Sequence, residues 1–466
     1  MGKITLIVFA FFTISPIFGQ DATGHWYGVL EVQGTQLRLV FNISRADNIY
    51  SATMDSPDQG VKGVPVTSIS YEKDTLKLEI SNAGIGYEGT LGKDAIFTGT
   101  FKQGGHEFPM DLSRNAIGKR KLKRPQEPTE PYPYYTEEVA FQNDKANISL
   151  AGTLSLPKKE GNFPVVVLIS GSGPQNRDEE LLGHKPFLVI SDYLTRNGIG
   201  VLRYDDRGVG ESEGDFRTST TADFVTDVES AILYLKTRKE IDKNEIGLIG
   251  HSEGGIIAPI VAGKSKDVAF VILLAGTGIQ GDQLLLLQQQ SIGKASGLGN
   301  GELQQMELIN RRAFDIVKKS KGLEQLKIDL TNYFKQTLAD NPNAEKPEGM
   351  SDDGFVELQV GQIANPWMQY FIKHDPAPVL EKVECPVLAL NGAKDLQVPA
   401  KINLKAIKDA LEKSGNKDVT TKELSGLNHL FQECETGLPT EYAVIEQTFS
   451  PKALTEISNW ILNALK

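Results

Sequence analysis

Cysteine, histidine and basic charge are all scarce in this chain. Two cysteines in 466 residues exclude a disulfide-rich scaffold. Cys385 opens an expected strand and Cys434 follows a C-terminal loop, near opposite ends of the sheet argued for below. A disulfide needs Cα atoms within about 7 Å, so two free thiols are expected. The six histidines show no His-x-x-x-His spacing, and no Cys-x-x-Cys is present, so neither a metal nor a cofactor is indicated. Lysine and arginine total 49 against 60 acidic residues, for a net charge of -11. That balance argues against a nucleic-acid partner, which selects a basic surface. Beyond the N-terminus, no apolar run reaches the length a helix needs to cross a bilayer, so no stable membrane insertion is expected.

What is present starts with a processing segment. Lys3 precedes an apolar core at residues 4–12, and Gly19 followed by Gln20 offers a cleavage site. Residues 1–20 therefore read as a signal peptide, with the mature protein exported to the periplasm or beyond the cell. Hydrophobic content of 40% and charged content of 23% describe a globular protein. The length calls for more than one domain.

Residues 21–115 alternate apolar and polar at period two, in runs such as 26–32, 37–43, 76–80 and 96–101. Turn signals at 33–34, 58–60 and 104–105 separate them. This pattern predicts a small antiparallel barrel or sandwich, an all-β accessory domain. Residues 116–134 carry a basic run at 119–124 and a Pro-rich stretch at 125–133, and read as a solvated linker. From 135 to 466 the pattern changes. A leading hairpin is followed by the continuous apolar run 165–169, as a parallel strand buried on both faces requires. Helices at 186–196 and 224–236 alternate with strands at 201–204, 246–249 and 268–274. Alternation of this kind predicts an α/β fold with a mostly parallel sheet. It stops at about 280–380, where helical patterns at 283–290, 303–320 and 323–338 predict a cap insertion, and resumes to the C-terminus.

The chemistry centres on Gly250-His251-Ser252-Glu253-Gly254. An apolar strand runs into it and a helix follows, the context of a nucleophile elbow. A serine hydroxyl is a weak nucleophile and needs a base. If the order is serine, acid, histidine, only His374 and His429 qualify as the base. His429 follows the strand at 419–424, and Asp395 follows the strand at 387–390. Ser252, Asp395 and His429 are thus expected at the C-terminal ends of three strands. The backbone N–H of Glu253 is expected to hold the developing oxyanion. A second donor should come from the loop at 170–178, where the Ser172 N–H is favoured over that of Gly173. Arg177, Trp367, Phe371 and His374 are expected around the substrate pocket. His25 and His106 read as structural, and His251 as pointing away from the serine. The stretch 205–212 lacks the Gly-Lys-Ser/Thr of a phosphate loop and reads as a turn anchored by Arg207.

Several of these elements together resemble one family. Gly171-Ser172-Gly173-Pro174-Gln175-Asn176-Arg177-Asp178, Tyr204-Asp205-Asp206-Arg207-Gly208-Val209-Gly210-Glu211-Ser212, Gly250-His251-Ser252-Glu253-Gly254-Gly255, Gly392-Ala393-Lys394-Asp395 and Leu427-Asn428-His429 resemble the α/β-hydrolases. Within that family the chain is similar to bacterial carboxylesterases related to serine aminopeptidase and dipeptidyl-peptidase-like hydrolases. The resemblance covers residues 135–466 and implies hydrolysis of small-molecule esters with short acyl chains. Ser170-Gly171 stands where the wider family commonly has His-Gly, which leaves the second oxyanion donor open between Ser172 and Gly173. A serine peptidase of the same fold is the first alternative. Glu179 and Glu180 would be its amine ligands, although surface charge is the expected role of that pair. A binding protein on an inactive hydrolase scaffold is the second.

Overall fold

The structure, a computed structural model, describes residues 21–32, 35–47, 49–57, 61–103, 106–118, 123–341, 346 and 350–466. The expected signal peptide, the turn signals at 33–34, 58–60 and 104–105, and basic residues 119–122 lie outside these residues. The chain divides into two compact units.

The first unit is built from ten antiparallel strands: β1 (Gly24–Val32), β2 (Thr35–Ala46), β3 (Ile49–Ser56), β4 (Val61–Pro65), β5 (Ser68–Glu72), β6 (Thr75–Ile80), β7 (Ile85–Leu91), β8 (Phe97–Gln103), β9 (His106–Pro109) and β10 (Leu112–Ser113). Their order is β4-β3-β2-β1-β10-β8-β7-β6-β5, with β9 on β8. The period-two pattern holds in β6, where Leu76, Leu78 and Ile80 are buried and Lys77 and Glu79 exposed. This is one curled sheet, not a two-sheet sandwich. Residues from both halves of the strand order, including Phe41 and Met54 with Leu78 and Phe101, share one core. The curl brings Tyr50 of β3 within 6.3 Å of Tyr71 of β5, ring to ring. Residues 66 and 67 span the gap, donating to Ala52 O at 3.0 Å and Glu79 O at 2.7 Å.

The second unit holds β11 (Tyr135–Asn143), β12 (Ile148–Leu156), β13 (Phe163–Ile169), β14 (Gly200–Tyr204), β15 (Ile241–His251), β16 (Phe270–Leu274), β17 (Val387–Gly392) and β18 (Val419–Leu424). The order is β11-β12-β14-β13-β15-β16-β17-β18. β11 and β12 pair antiparallel, β12 meets β14 antiparallel, and the rest run parallel. Helices α1 (Pro186–Arg196), α2 (Thr221–Thr237) and α3 (Gly254–Ala262) fall between these strands. A cap of α4 (Gly281–Ala295), α5 (Asn300–Lys319), α6 (Leu323–Asp340), α7 (Asp352–Ile363), α8 (Pro366–Lys373) and the short α9 (Ala377–Leu380) is inserted between β16 and β17. The helices α10 (Ala400–Lys413) and α11 (Pro451–Ala464) complete the unit.

Both faces of the sheet are covered, so β13 must be apolar throughout. Val165, Val167 and Ile169 pack with α2, α3 and α10 residues such as Val228, Ile257 and Ile407. Val166 and Leu168 pack with α1 and α11 residues such as Ile190 and Ile457. The cap has its own core, with Phe314, Leu330, Phe334, Val360 and Ile372 buried together. The sequence pattern misses α7 and α8. Capping marks the start of α8, with Pro366 in its first turn and the Asn365 side chain accepting Met368 N–H at 2.8 Å. The linker is not wholly solvated. The Arg124 guanidinium donates to the carbonyls of Gly183 (3.1 Å), Ile445 (2.8 Å), Leu182 (3.1 Å) and Ala443 (3.0 Å), all within the second unit. Both cysteines are free.

Candidate active site

β15 ends at His251, and the chain turns sharply before α3 begins at Gly254. Ser252 sits in that turn at φ 52°. A non-glycine residue there carries roughly 1–3 kcal/mol of strain. The surroundings hold it in place: the Ser252 N–H donates to Leu274 O of β16 at 2.8 Å. The flanking glycines are required by contact. A Cβ on Gly250 would lie 2.0 Å from Gly254 O, and one on Gly254 would lie 2.2 Å from Ile169 O.

Asp395 follows β17, and His429 follows β18. The Asp395 Oδ1 accepts the N–H groups of Gln397 and Val398, each at 2.8 Å. Its Oδ2 accepts from His429 Nδ1 at 2.8 Å. With Nδ1 donating to the carboxylate, Nε2 is left to accept a proton. Asp395 and His429 are 4% and 5% exposed, so this pair is shielded from water. The loop carrying His429 is shaped by Asn428, whose Oδ1 accepts Leu430 N–H at 3.0 Å and Gln432 N–H at 2.9 Å. The third loop lies against the nucleophile. A Cβ on Gly171 would be 3.3 Å from the Ser252 Cβ.

The family model described as serine aminopeptidase, S33, matches residues 187–306, which include the elbow and the start of the cap. Esterase EstD of Thermotoga maritima is 26% identical over 429 residues, covering 90% of this chain and 92% of that protein. That span reaches beyond the second unit into the N-terminal sheet. Solved structures similar to the chain include an α/β-hydrolase, GrgF, from Penicillium (16% identity, 71% of this chain and 98% of that one, TM-score 0.43). The Pyrococcus furiosus esterase Pf2001 is another (12% identity, 71% and 93%, TM-score 0.41). The chain carries an α/β-hydrolase domain.

In this hydrolase the loop after β13 is organised by buried carboxylates. Asp206 accepts the Ser170 hydroxyl at 2.7 Å and the Gln175 N–H at 3.0 Å. Burial pushes its carboxyl up to about 8, against the pull of those two hydrogen bonds. Glu179 accepts the Gly171 N–H at 2.7 Å. The Gly171 N–H is therefore committed, which leaves Ser172 and Gly173 as donors the loop can present.

Arg177 is held by a network of carboxylates and a hydroxyl. Its guanidinium reaches Asp205 (Oδ2, 2.7 Å), Glu211 (2.9 Å), Thr153 (3.1 Å) and Glu138, and it clamps the loop to its neighbours. A side chain with this many charged partners ties the loop in place. Glu179 departs from expectation. It is 5% exposed and hydrogen-bonded, so it is neither surface charge nor a free amine ligand. Arg207 anchors its turn as expected, with Nε 2.8 Å from Asp227 Oδ2.

The cap reaches the elbow through α8. The Trp367 indole donates to Glu253 Oε1 at 2.8 Å, and the Thr221 hydroxyl donates to the same oxygen at 2.7 Å. Burial raises the Glu253 carboxyl above its ordinary value, and these donors only partly offset it. Phe371 is buried in the core and stacks on Trp367 at 5.2 Å. His374 stacks on Tyr370 at 5.7 Å. Both line a cavity of about 530 Å³ with Thr220 and Lys373. His184 is buried and bonded to Tyr442 O at 2.8 Å. Sequence reasoning missed the Glu253 side chain, Thr221 and Asp206. Polar residues flanking Gly-rich turns carry no mark of burial.

Proposed function

We propose that this hydrolase cleaves small carboxylic esters with short acyl chains through Ser252, His429 and Asp395. The observation that carries the reading is the 2.8 Å Asp395–His429 hydrogen bond in the same domain as a strained elbow serine. The name of the Thermotoga maritima relative, an esterase, points the same way. The Ser252 Oγ attacks the ester carbonyl carbon while His429 Nε2 takes its proton. The N–H groups of Glu253 and Ser172 hold the oxyanion. The tetrahedral intermediate collapses, the C–O bond to the alcohol breaks, and His429 returns the proton to the departing oxygen. Water then attacks the acyl-enzyme, with His429 again as base. Asp395 keeps the imidazole tautomer and stabilises the imidazolium.

Hydrolysis of aminoacyl amides is the second reading, favoured by the description of the matching family model. The test is fluorophosphonate labelling of the purified protein and of Ser252→Ala, beside turnover of p-nitrophenyl esters of increasing acyl length and of aminoacyl p-nitroanilides. Labelling lost in Ser252→Ala, with fastest turnover of the shortest esters, is the expected result. Turnover of anilides alone would move the assignment to peptidase. Equal labelling of the alanine variant would remove Ser252 as nucleophile.

A further inference from the structure

His251 precedes the elbow serine, and its ring joins two loops. Nδ1 lies 2.9 Å from Glu179 Oε1, and Nε2 lies 3.0 Å from the backbone oxygen of His429. The same Glu179 oxygen accepts the Gly171 N–H at 2.7 Å. A continuous path therefore runs from the loop after β13, through Glu179 and His251, to the backbone from which His429 hangs. Glu179 is 5% exposed and His251 6% exposed, so water does not compete for these bonds. Glu179 is held at φ 50°, in the left-handed region, which costs free energy that the surrounding contacts must offset.

The partners also constrain the protons. A carbonyl oxygen only accepts, and so does an ionised carboxylate. With Glu179 ionised, both ring nitrogens of His251 donate, which makes the ring an imidazolium paired with the Glu179 carboxylate. Burial opposes the charge, but the Glu179 carboxylate and the His429 carbonyl outweigh it, and His251 titrates above its ordinary value. The groups facing the pair are few. The His429 ring lies 4.9 Å from the His251 ring, Asp395 acts on His251 through space, and Asp206 and Glu179 repel each other.

We propose that Glu179 and His251 are positioning residues for the reaction. The pair fixes the oxyanion loop relative to the loop of the general base, so that the Ser172 N–H and His429 Nε2 meet the same substrate carbonyl on either side of Ser252. The inference rests on the triad reading above. Glu179 touches neither substrate nor Ser252 in this role. It acts through Gly171 on one side and through His251 on the other. Its charge matters as well as its shape: an amide at 179 no longer stabilises the imidazolium, and a neutral His251 loses one of its two donors.

The test uses the full chain with p-nitrophenyl acetate as the probe. Wild type, Ser252→Ala, Glu179→Gln and His251→Gln are compared for kcat, KM and the pH dependence of kcat. Glu179→Gln and His251→Gln should each lower kcat roughly tenfold to a hundredfold with KM within about twofold. Glu179→Gln should also add a step to the kcat profile at neutral to acid pH, because His251 then titrates there. A folded Glu179→Gln with wild-type kcat and profile, in a protein whose activity depends on Ser252, overturns this inference and leaves the triad standing. Activity that survives in Ser252→Ala overturns the triad and this inference with it. If Glu179→Gln does not fold, His251→Gln carries the same expected split. If neither folds, the pair is a folding element and the positioning role is overturned.

Discussion

The indole N–H of Trp367 in the cap meets the carboxylate of Glu253, the residue after Ser252, at 2.8 Å. The side chain of Glu253 thus seats α8 while its backbone N–H is the proposed oxyanion donor. Trp367→Phe keeps a ring to stack on Phe371 but removes the donor. Losing one hydrogen bond to a buried carboxylate costs about 1–3 kcal/mol. The expected outcome is a lower melting temperature and a fall of about tenfold in kcat/KM for p-nitrophenyl acetate, since α8 and the Glu253 backbone both lose a restraint. Thermal melts and initial rates check it, and unchanged rates would mean that the contact is structural only.

Asp395→Asn retains the shape of the acid and one acceptor oxygen. It favours the tautomer of His429 whose Nε2 carries the proton and cannot act as base. A loss of about 10⁴ in kcat is expected, with little change in KM. Steady-state kinetics on a short ester measures it, and a loss below tenfold would remove Asp395 as the orienting acid.

Gly254→Ala places a methyl group 2.2 Å from Ile169 O and 3.0 Å from Ser170 O. Backbone on this side belongs to β13 and its loop and has little room to move. A destabilisation of about 3 kcal/mol is expected, together with loss of fluorophosphonate labelling as the elbow shifts. Denaturant unfolding and labelling report the two effects separately.

His184 is pushed down to about 4 by burial, against the hydrogen bond to Tyr442 O. In the unfolded chain a histidine titrates near 6.5. The unfolded state therefore takes up the proton first as pH falls. Stability from this site is complete above about 6.5 and is lost between there and about 4. Asp206, raised by burial, works in the opposite sense over a window reaching about 8. The melting temperature of His184→Gln should therefore fall less than that of wild type between pH 6.5 and 4, whatever its absolute value. Parallel curves for the two proteins would contradict this.

The sequence by itself determined the alternation of strands and helices and the order of the three candidate catalytic residues. The reason is local. A parallel strand buried on both faces is apolar at every position, as in 165–169, and Ser252, Asp395 and His429 each follow such a strand or its edge neighbour within a few residues. The elbow was legible because its steric demand falls on glycines adjacent in the chain. The tertiary structure alone decided what the polar residues between these signals do. Arg177 and Glu179 stand in one hydrophilic run, yet Arg177 meets Asp205 and Glu211 from the next loop, and Glu179 is drawn under the elbow to His251. Arg124 in the basic run finds carbonyls more than 300 residues away at Ala443 and Ile445. No period or motif marks a charge for burial, because the partner that compensates it arrives only when distant segments pack. The curl of the N-terminal sheet has the same origin: period two marks the inward face of each strand, but the contact of Tyr50 with Tyr71 depends on the accumulated twist of all the strands between them.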